Sequence, residues 1–304
     1  MSLPFFLGSV MFRNDEAYEA LDAFYEAGGR DIDTARGYPG AESVIGGWLD
    51  ARGVAGEMRV LTKGGHPDPA TWASRLTEAE IVADLDKSLE TLGLQSIESF
   101  LLHRDDPGTP VEQIATILSA LVATGRVNTI GVSNWSAPRI RALAAALTTA
   151  SGPPITWVSN AFGLAQIHGP SPFRGVVTAS PDVRRAGREL GFRILAWSAM
   201  SQGYFASGRG VDAPIFASEE NARRREVLER ISAAHGVSAV GVLAHWLMTA
   251  NDDIVPIFGP TTASHVRELA DAAAGGRLDS ATAELVSELG EAIQDPGEFA
   301  PDAP

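Results

Sequence analysis

The chain has 304 residues, 45% of them hydrophobic and 20% charged, which supplies a large apolar core and excludes a disordered polymer. Its formal charge of −14 opposes association with phosphate backbones, and the basic run Arg223-Arg224-Arg225 falls in a helical pattern and reads as a solvated face, so no nucleic-acid partner is expected. The absence of cysteine removes disulfides, thiolate nucleophiles and iron–sulfur ligation together.

In chain order, the N-terminal MSLPFFLGSVMF has no basic n-region and no small-residue cleavage site, so it is not read as a secretory signal. No apolar run is long enough to cross a bilayer, and the expectation is a cytoplasmic chain with no membrane partner. PFFLGSVMF reads as a first strand, followed by the amphipathic pattern DEAYEALDAFYEAG. RDIDT, MRVLTK, ESFLLH, VNTIGVS and ITWVSNAF follow as strands, separated by the helical patterns AESVIGGWLDARG, TEAEIVADLDKSLETLG, PVEQIATILSALVATG and APRIRALAAALTTA. DVRRAGRELG precedes the seventh strand, FRILAWSA; two helical patterns, NARRREVLERISAAHG and SAVGVLAHWLMTA, precede the eighth, DIVPIFG. ASHVRELADAAA closes the series, and several helical patterns stop at glycine.

Strand–helix alternation implies a parallel sheet, because parallel neighbours need a crossover. Eight units at roughly thirty-residue spacing favour an α/β fold of the closed (β/α)8 TIM-barrel type. No Gly-x-Gly-x-x-Gly follows any strand, which argues against the open dinucleotide-binding sheet. The chain is read as one domain, with the barrel over about residues 4–275 and an extra C-terminal helix and frayed tail over about 278–304. YFASGRGVDAPIFASEE, after the seventh strand, is a long loop of the kind that serves as a lid.

Chemistry in such a barrel sits where strands run into their following loops. The second strand ends at Asp33 with Tyr38 in its loop, the third at Lys63 and the fourth at His103. Each has an ordinary reading alone: a turn cap, a rim aromatic, a surface charge and a core histidine. Together they bring a carboxylate, a phenol, an ammonium and an imidazole to one rim, and Lys63 is one of only two lysines in an arginine-using chain. An ammonium beside a phenol stabilises the phenolate and lowers a pKa near about 10. An aspartate keeps the ammonium charged, and a histidine orients the reacting oxygen. The product is a proton donor for an oxygen on which negative charge develops, as carbonyl reduction requires.

DIDTARGYPGAESVIG, LTKGG, FLLHRDDP, GRVNTIGVSNW and VPIFGP, in this order and spacing, resemble the aldo-keto reductases from the first strand to the eighth helix. The resemblance implies a (β/α)8 barrel that works with a nicotinamide cofactor, usually NADPH, and no metal. It implies a catalytic tetrad at Asp33, Tyr38, Lys63 and His103. For the cofactor it implies Ser9, then Ser133 and Asn134 on the carboxamide, with Ser159 where a glutamine is usual. It also implies Trp197 stacked on the nicotinamide, and Gln202 and Arg209 folded over the pyrophosphate.

The same resemblance brings the adenosine phosphates to the loop after the eighth strand and the N-terminus of its helix. There the usual basic residue is absent, since Gly259, Pro260 and Thr261 occupy that stretch, followed by Thr262. His265 stands where an arginine is usual, Arg267 lies two residues on, and Leu269 replaces an adenine-contacting asparagine. NADP(H) remains the implied cofactor with its preference over NAD(H) weakened, and His265 and Arg267 are the substitute clamp.

Met11, Phe12, Trp135 and the loop after the seventh strand are expected to wall the substrate pocket. Arg104, next to His103 where a tryptophan is common, suits a polar or sugar-like carbonyl, although a rim salt bridge reads equally well. The competing reading is a nicotinamide-binding regulatory or channel-associated subunit with little turnover. No His-x-His follows the first strand and no carboxylate ends the seventh, so barrel metallohydrolases and retaining glycosidases are not favoured.

Overall fold

Eight short apolar runs form strands β1 (Phe6–Gly8), β2 (Asp31–Asp33), β3 (Arg59–Gly64), β4 (Ile97–Leu102), β5 (Val127–Ser133), β6 (Ile155–Ser159), β7 (Arg193–Ala196) and β8 (Ile254–Phe258). The coordinates, a computed structural model, describe residues 2–9, 11–168, 174–206 and 214–298. Every strand pairs in parallel with the next, and β8 returns to β1 with Ile257 opposite Phe6, so the sheet closes into a barrel. The crossovers carry α1 (Tyr18–Glu26), α2 (Ala41–Arg52), α3 (Glu78–Leu92), α4 (Val111–Ala123), α5 (Ala137–Thr149) and α6 (Pro181–Leu190). Two helices, α7 (Glu219–His235) and α8 (Ala239–Thr249), precede β8, and α9 (Ala263–Ala273) and α10 (Arg277–Leu289) follow it. The barrel with its extra C-terminal helix is thus the expected architecture, and α10 packs on α7 and α8. No single helix among the described residues is long and apolar enough to cross a membrane.

Local chemistry accounts for the helix limits. Thr77 and Glu80 form a reciprocal capping box at the start of α3, and Gly93 closes it at φ 68°, a left-handed conformation that side chains resist. Ser180, Ser218, Ser238 and Thr262 each accept an amide from the first turn of α6, α7, α8 and α9.

Strand alternation places the site. Phe6, Leu61, Leu101, Leu195 and Val255 form an apolar cluster with Trp157 and Ile257 that fills the barrel interior. A strand repeats its facing every two residues, so the inward position above Leu61 is Lys63 and that above Leu101 is His103. The same step leads from Gly131 to Ser133, Trp157 to Ser159 and Leu195 to Trp197. An apolar floor therefore supports a polar ring one pleat higher, at the C-terminal mouth. Gly131 is required by this packing: a Cβ there would stand 2.2 Å from the Trp157 carbonyl oxygen.

Two expectations are corrected. Arg224 is not on a solvated face: it is 0% exposed, donating to the Leu164 carbonyl at 2.6 Å, the Ala292 carbonyl at 2.8 Å and Glu220 at 2.9 Å. It ties α7 to the loop after β6 and to the short 3-10 turn after α10. The segment after α10 is not frayed at its start either. The Pro296 carbonyl accepts from the Ile167 amide at 2.8 Å and the Gly297 carbonyl from Thr178 Oγ1 at 2.9 Å. Gly297 sits so close to Ile167 that a Cβ would meet its carbonyl oxygen at 2.3 Å.

Arg224→Met leaves buried carbonyl acceptors without a donor, and urea unfolding is expected to show a loss of about 2–4 kcal/mol. Arg223→Met, on the exposed side of the same turn, is expected to stay within about 0.5 kcal/mol of the parent. Equal effects for the two variants would contradict the assignment.

Candidate active site

At the mouth, Lys63 Nζ donates to Asp33 Oδ1 at 2.6 Å and to the Thr34 carbonyl at 2.9 Å. Both side chains are buried, whereas Lys87 lies exposed beside Glu90, so the two lysines of the chain differ in role. Lys63 Nζ lies 5.1 Å from the centre of the Tyr38 ring, with the phenol in its reach, and the His103 ring stands edge-on to that ring at 5.5 Å. The four groups expected to cooperate are brought together. The loop that carries Tyr38 is pinned from below: Arg36 pairs with buried Glu42 at 2.5 Å, and Glu42 accepts from Thr62 Oγ1 at 2.7 Å.

Burial dominates the electrostatics. It holds the Tyr38 phenol above its ordinary pKa, against the opposing pull of Lys63. The expectation of a net lowering by Lys63 is corrected accordingly: the ammonium reduces the cost of forming a phenolate without cancelling the desolvation. Lys63 itself is disfavoured by burial, yet Asp33 and Tyr38 outweigh that and raise its pKa, so it stays charged. Burial raises Asp33, with Lys63 pulling it back. His103 is driven well below its usual value by burial, and Arg104, Lys63 and His66 add to the effect, so it is a neutral imidazole at pH 7. Its Nδ1 has no hydrogen-bond partner among the described residues, which is not the pattern of a satisfied core histidine.

The polar ring continues around the mouth. Ser133 Oγ donates to the Ser159 carbonyl at 2.9 Å. Asn134, at φ 62°, is a bracket: its Nδ2 donates to Ser133 Oγ at 2.9 Å and to the His103 carbonyl at 3.3 Å, while its Oδ1 accepts from the Val177 amide at 3.2 Å. The buried hydroxyls of Ser9 and Ser159 have no partner among the described residues, and half-buried Trp197 follows directly on the end of β7. Hydroxyl donors and an aromatic face suit the amide and ring of a nicotinamide. Gln202 is exposed at φ 53°, and Arg209 lies outside the described residues. Gly259, Thr261, Thr262, His265 and Arg267 are exposed around the start of α9, where Thr262 Oγ1 accepts from the His265 amide at 3.3 Å. Leu269 is buried in the core.

On the substrate side the expected wall is divided. Met11 is 58% exposed, whereas Phe12 and Trp135 are 2% and 0% exposed and belong to the main apolar core cluster. Arg104 is half-buried at the rim and donates to the His103 carbonyl at 2.8 Å. The structure adds residues that sequence reasoning missed. His66 stands edge-on to His103 at 5.0 Å and donates from Nδ1 to the Pro67 carbonyl at 2.8 Å, so that nitrogen carries the proton. Trp72 lies edge-on to His66 at 5.8 Å and adopts φ 59°, a left-handed conformation that costs a side chain about 1–2 kcal/mol. The histidine two residues after LTKGG's first glycine was a signal available in the sequence; the strain at Trp72 was not.

Comparison with known proteins agrees with this geometry. The model of the aldo/keto reductase family matches residues 5–291. A 6-dehydroglucose reductase of Agrobacterium fabrum is 27% identical over 264 residues, covering 83% of this chain and 80% of its own. The NADP(+)-labelled aldo-keto reductase yakc of Schizosaccharomyces pombe is 26% identical over 249 residues, covering 76% of this chain and 69% of its own. A crystal structure assigned as a 2,5-diketo-D-gluconic acid reductase B superposes with a TM-score of 0.69 at 19% identity, covering 92% of this chain and 86% of the other, a likeness of fold. With its whole barrel matched, this chain belongs to the aldo/keto reductase family.

Proposed function

We propose that the chain interconverts aldehydes or ketones with alcohols, with Tyr38 as the general acid of reduction and the general base of oxidation. The observation that carries this reading is the buried Lys63 ammonium, clamped by Asp33 and the Thr34 carbonyl beneath the Tyr38 phenol. A nicotinamide cofactor, when bound, supplies the hydride that reaches the carbonyl carbon. Tyr38 gives its proton to the carbonyl oxygen as that oxygen gains charge. Lys63 stabilises the phenolate left behind, and Asp33 keeps Lys63 charged. His103, neutral and without a partner at Nδ1, orients the substrate oxygen. The apolar floor beneath the ring keeps water from below, which strengthens each of these interactions.

Ser9, Ser133, Asn134 and Ser159 are the residues to hold the carboxamide, and Trp197 the residue to stack on the ring. The adenosine phosphates would meet the N-terminus of α9 at Gly259, Thr261 and Thr262, where free amides favour anions. Arg267, exposed in the first turns of that helix, supplies positive charge for a 2′-phosphate and His265 a ring nitrogen for hydrogen bonding, which supports NADP(H) as the cofactor.

Tyr38→Phe is expected to lower kcat for aldehyde reduction by roughly 10²–10⁴-fold, the usual worth of a positioned acid. Fluorescence titration should give a nearly unchanged Kd for NADPH in the same variant. Wild-type turnover by Tyr38→Phe would reject the mechanism, and cofactor binding without turnover on any carbonyl by the parent would favour a regulatory subunit instead.

The pH profile has a defined sign. The acid form of Tyr38 is required, and its pKa is raised, so reduction should be level across neutral pH and decline only above about 10. His103 is already neutral at pH 7, so no inflection is expected near about 6.5. Steady-state kcat/KM for an aldehyde, measured from acid to alkaline pH, checks both statements.

A further inference from the structure

The chain segments that leave β5, β6 and β7 meet at one residue that the proposed chemistry does not use. Asn160 directly follows the last residue of β6 and is 0% exposed. Its Oδ1 accepts from the Asn134 amide at 2.9 Å, and its Nδ2 donates to the Trp135 carbonyl at 3.0 Å and to the Thr178 carbonyl at 3.1 Å. The Asn160 carbonyl accepts from the Trp197 amide at 3.3 Å. Its neighbour Ala161 makes parallel bridges to both Thr178 and Trp197. One buried asparagine therefore joins the backbone after β5, the chain returning towards α6 and the backbone after β7.

The side chain is matched to its partners. Two carbonyls on one side and an N–H on the other admit a single orientation of the amide, with its donor end towards Trp135 and Thr178. A carboxylate here would set oxygen against both carbonyls, and an apolar side chain would deprive both of this donor.

The junction governs the turn at Asn134. That residue stands at φ 62°, a left-handed conformation that asparagine enters more readily than most side chains, though it still needs support. Its amide is held twice, by the Ser159 carbonyl at 3.0 Å and by Asn160 Oδ1. Its side chain depends on the same junction, because Asn134 Oδ1 accepts from the Val177 amide, one residue before the Thr178 carbonyl that Asn160 binds. Thr178 is anchored in turn by its hydroxyl on the Gly297 carbonyl. With the turn fixed in this way, Asn134 Nδ2 reaches Ser133 Oγ and the His103 carbonyl. Relaxation to a right-handed conformation would carry the side chain away from both.

We propose that Asn160 is the positioning residue of the nicotinamide site. Fully buried, it reaches no cofactor; its side chain sets the Asn134 turn and its carbonyl holds the backbone at Trp197. Ser133, Asn134 and the Trp197 ring are thereby kept in one frame, so that the carboxamide and the nicotinamide ring are bound together. This inference rests on the cofactor reading above and adds to it a residue that acts through others.

The test separates the two halves of the cofactor. NADPH and 2′-phospho-ADP-ribose, the same molecule without its nicotinamide, are titrated calorimetrically into the parent and into Asn160→Ala; NADH and ADP-ribose replace them if the parent binds NADH more tightly. The dinucleotide is expected to bind the variant roughly tenfold or more weakly, while the fragment keeps its parent Kd. Asn160→Ser, a smaller polar change, should show the same split with an intermediate loss, and it is read in place of Asn160→Ala if the latter does not fold. An unchanged dinucleotide Kd, an equal loss for dinucleotide and fragment, or loss of the fold in both variants overturns the positioning role while leaving the cofactor reading intact. A parent that binds neither NADPH nor NADH overturns the cofactor reading and this inference with it.

Discussion

The buried contact between Lys63 and Asp33 is the constraint on which the rest of the site depends. Removing two charges from water costs several kcal/mol per ion, and only close geometry with further hydrogen bonds offsets that. Here the contact is 2.6 Å, the Thr34 carbonyl takes a second ammonium proton, and the Tyr38 phenol lies within reach of the same group. A buried pair placed for stability alone is often matched or bettered by apolar side chains of similar volume. Its position beneath a phenol and beside a neutral imidazole is what supports the chemical role proposed for the pair.

The barrel makes this placement unavoidable. Inward positions recur every two residues, so the strands that supply Leu61, Leu101, Trp157 and Leu195 to the floor must supply Lys63, His103, Ser159 and Trp197 to the ring above. The closed sheet fixes these groups relative to one another without relying on loops. Loops then add what differs among such barrels. The turn after β2 brings Tyr38 over the pair, and the loops after β3 and β4 add His66, Trp72 and Arg104. Strands of such a barrel hold geometry, and its loops are where variation is carried.

This division explains what could be read in the sequence. The strands and helices of the described residues announced themselves by periodicity and glycine stops. The tetrad was legible because each member ends a strand or follows one, and because Lys63 is scarce. Properties set by contacts between distant segments were hidden. Arg224 looks like one third of an exposed basic run, yet acceptors sixty or more residues away at Leu164 and Ala292 bury it. The net direction of the Tyr38 shift depends on desolvation, which residue spacing does not encode.

The central claim is that Lys63 acts on the acidity of Tyr38 through the field of a buried, permanently charged ammonium. Labelling the tyrosine ring carbon that bears the hydroxyl with ¹³C and following its NMR shift with pH, in the parent and in Lys63→Met, measures this directly. The account predicts a Tyr38 pKa above the ordinary phenol value of about 10 in the parent, rising further when the lysine is removed. A pKa that stays the same or falls in Lys63→Met would contradict it.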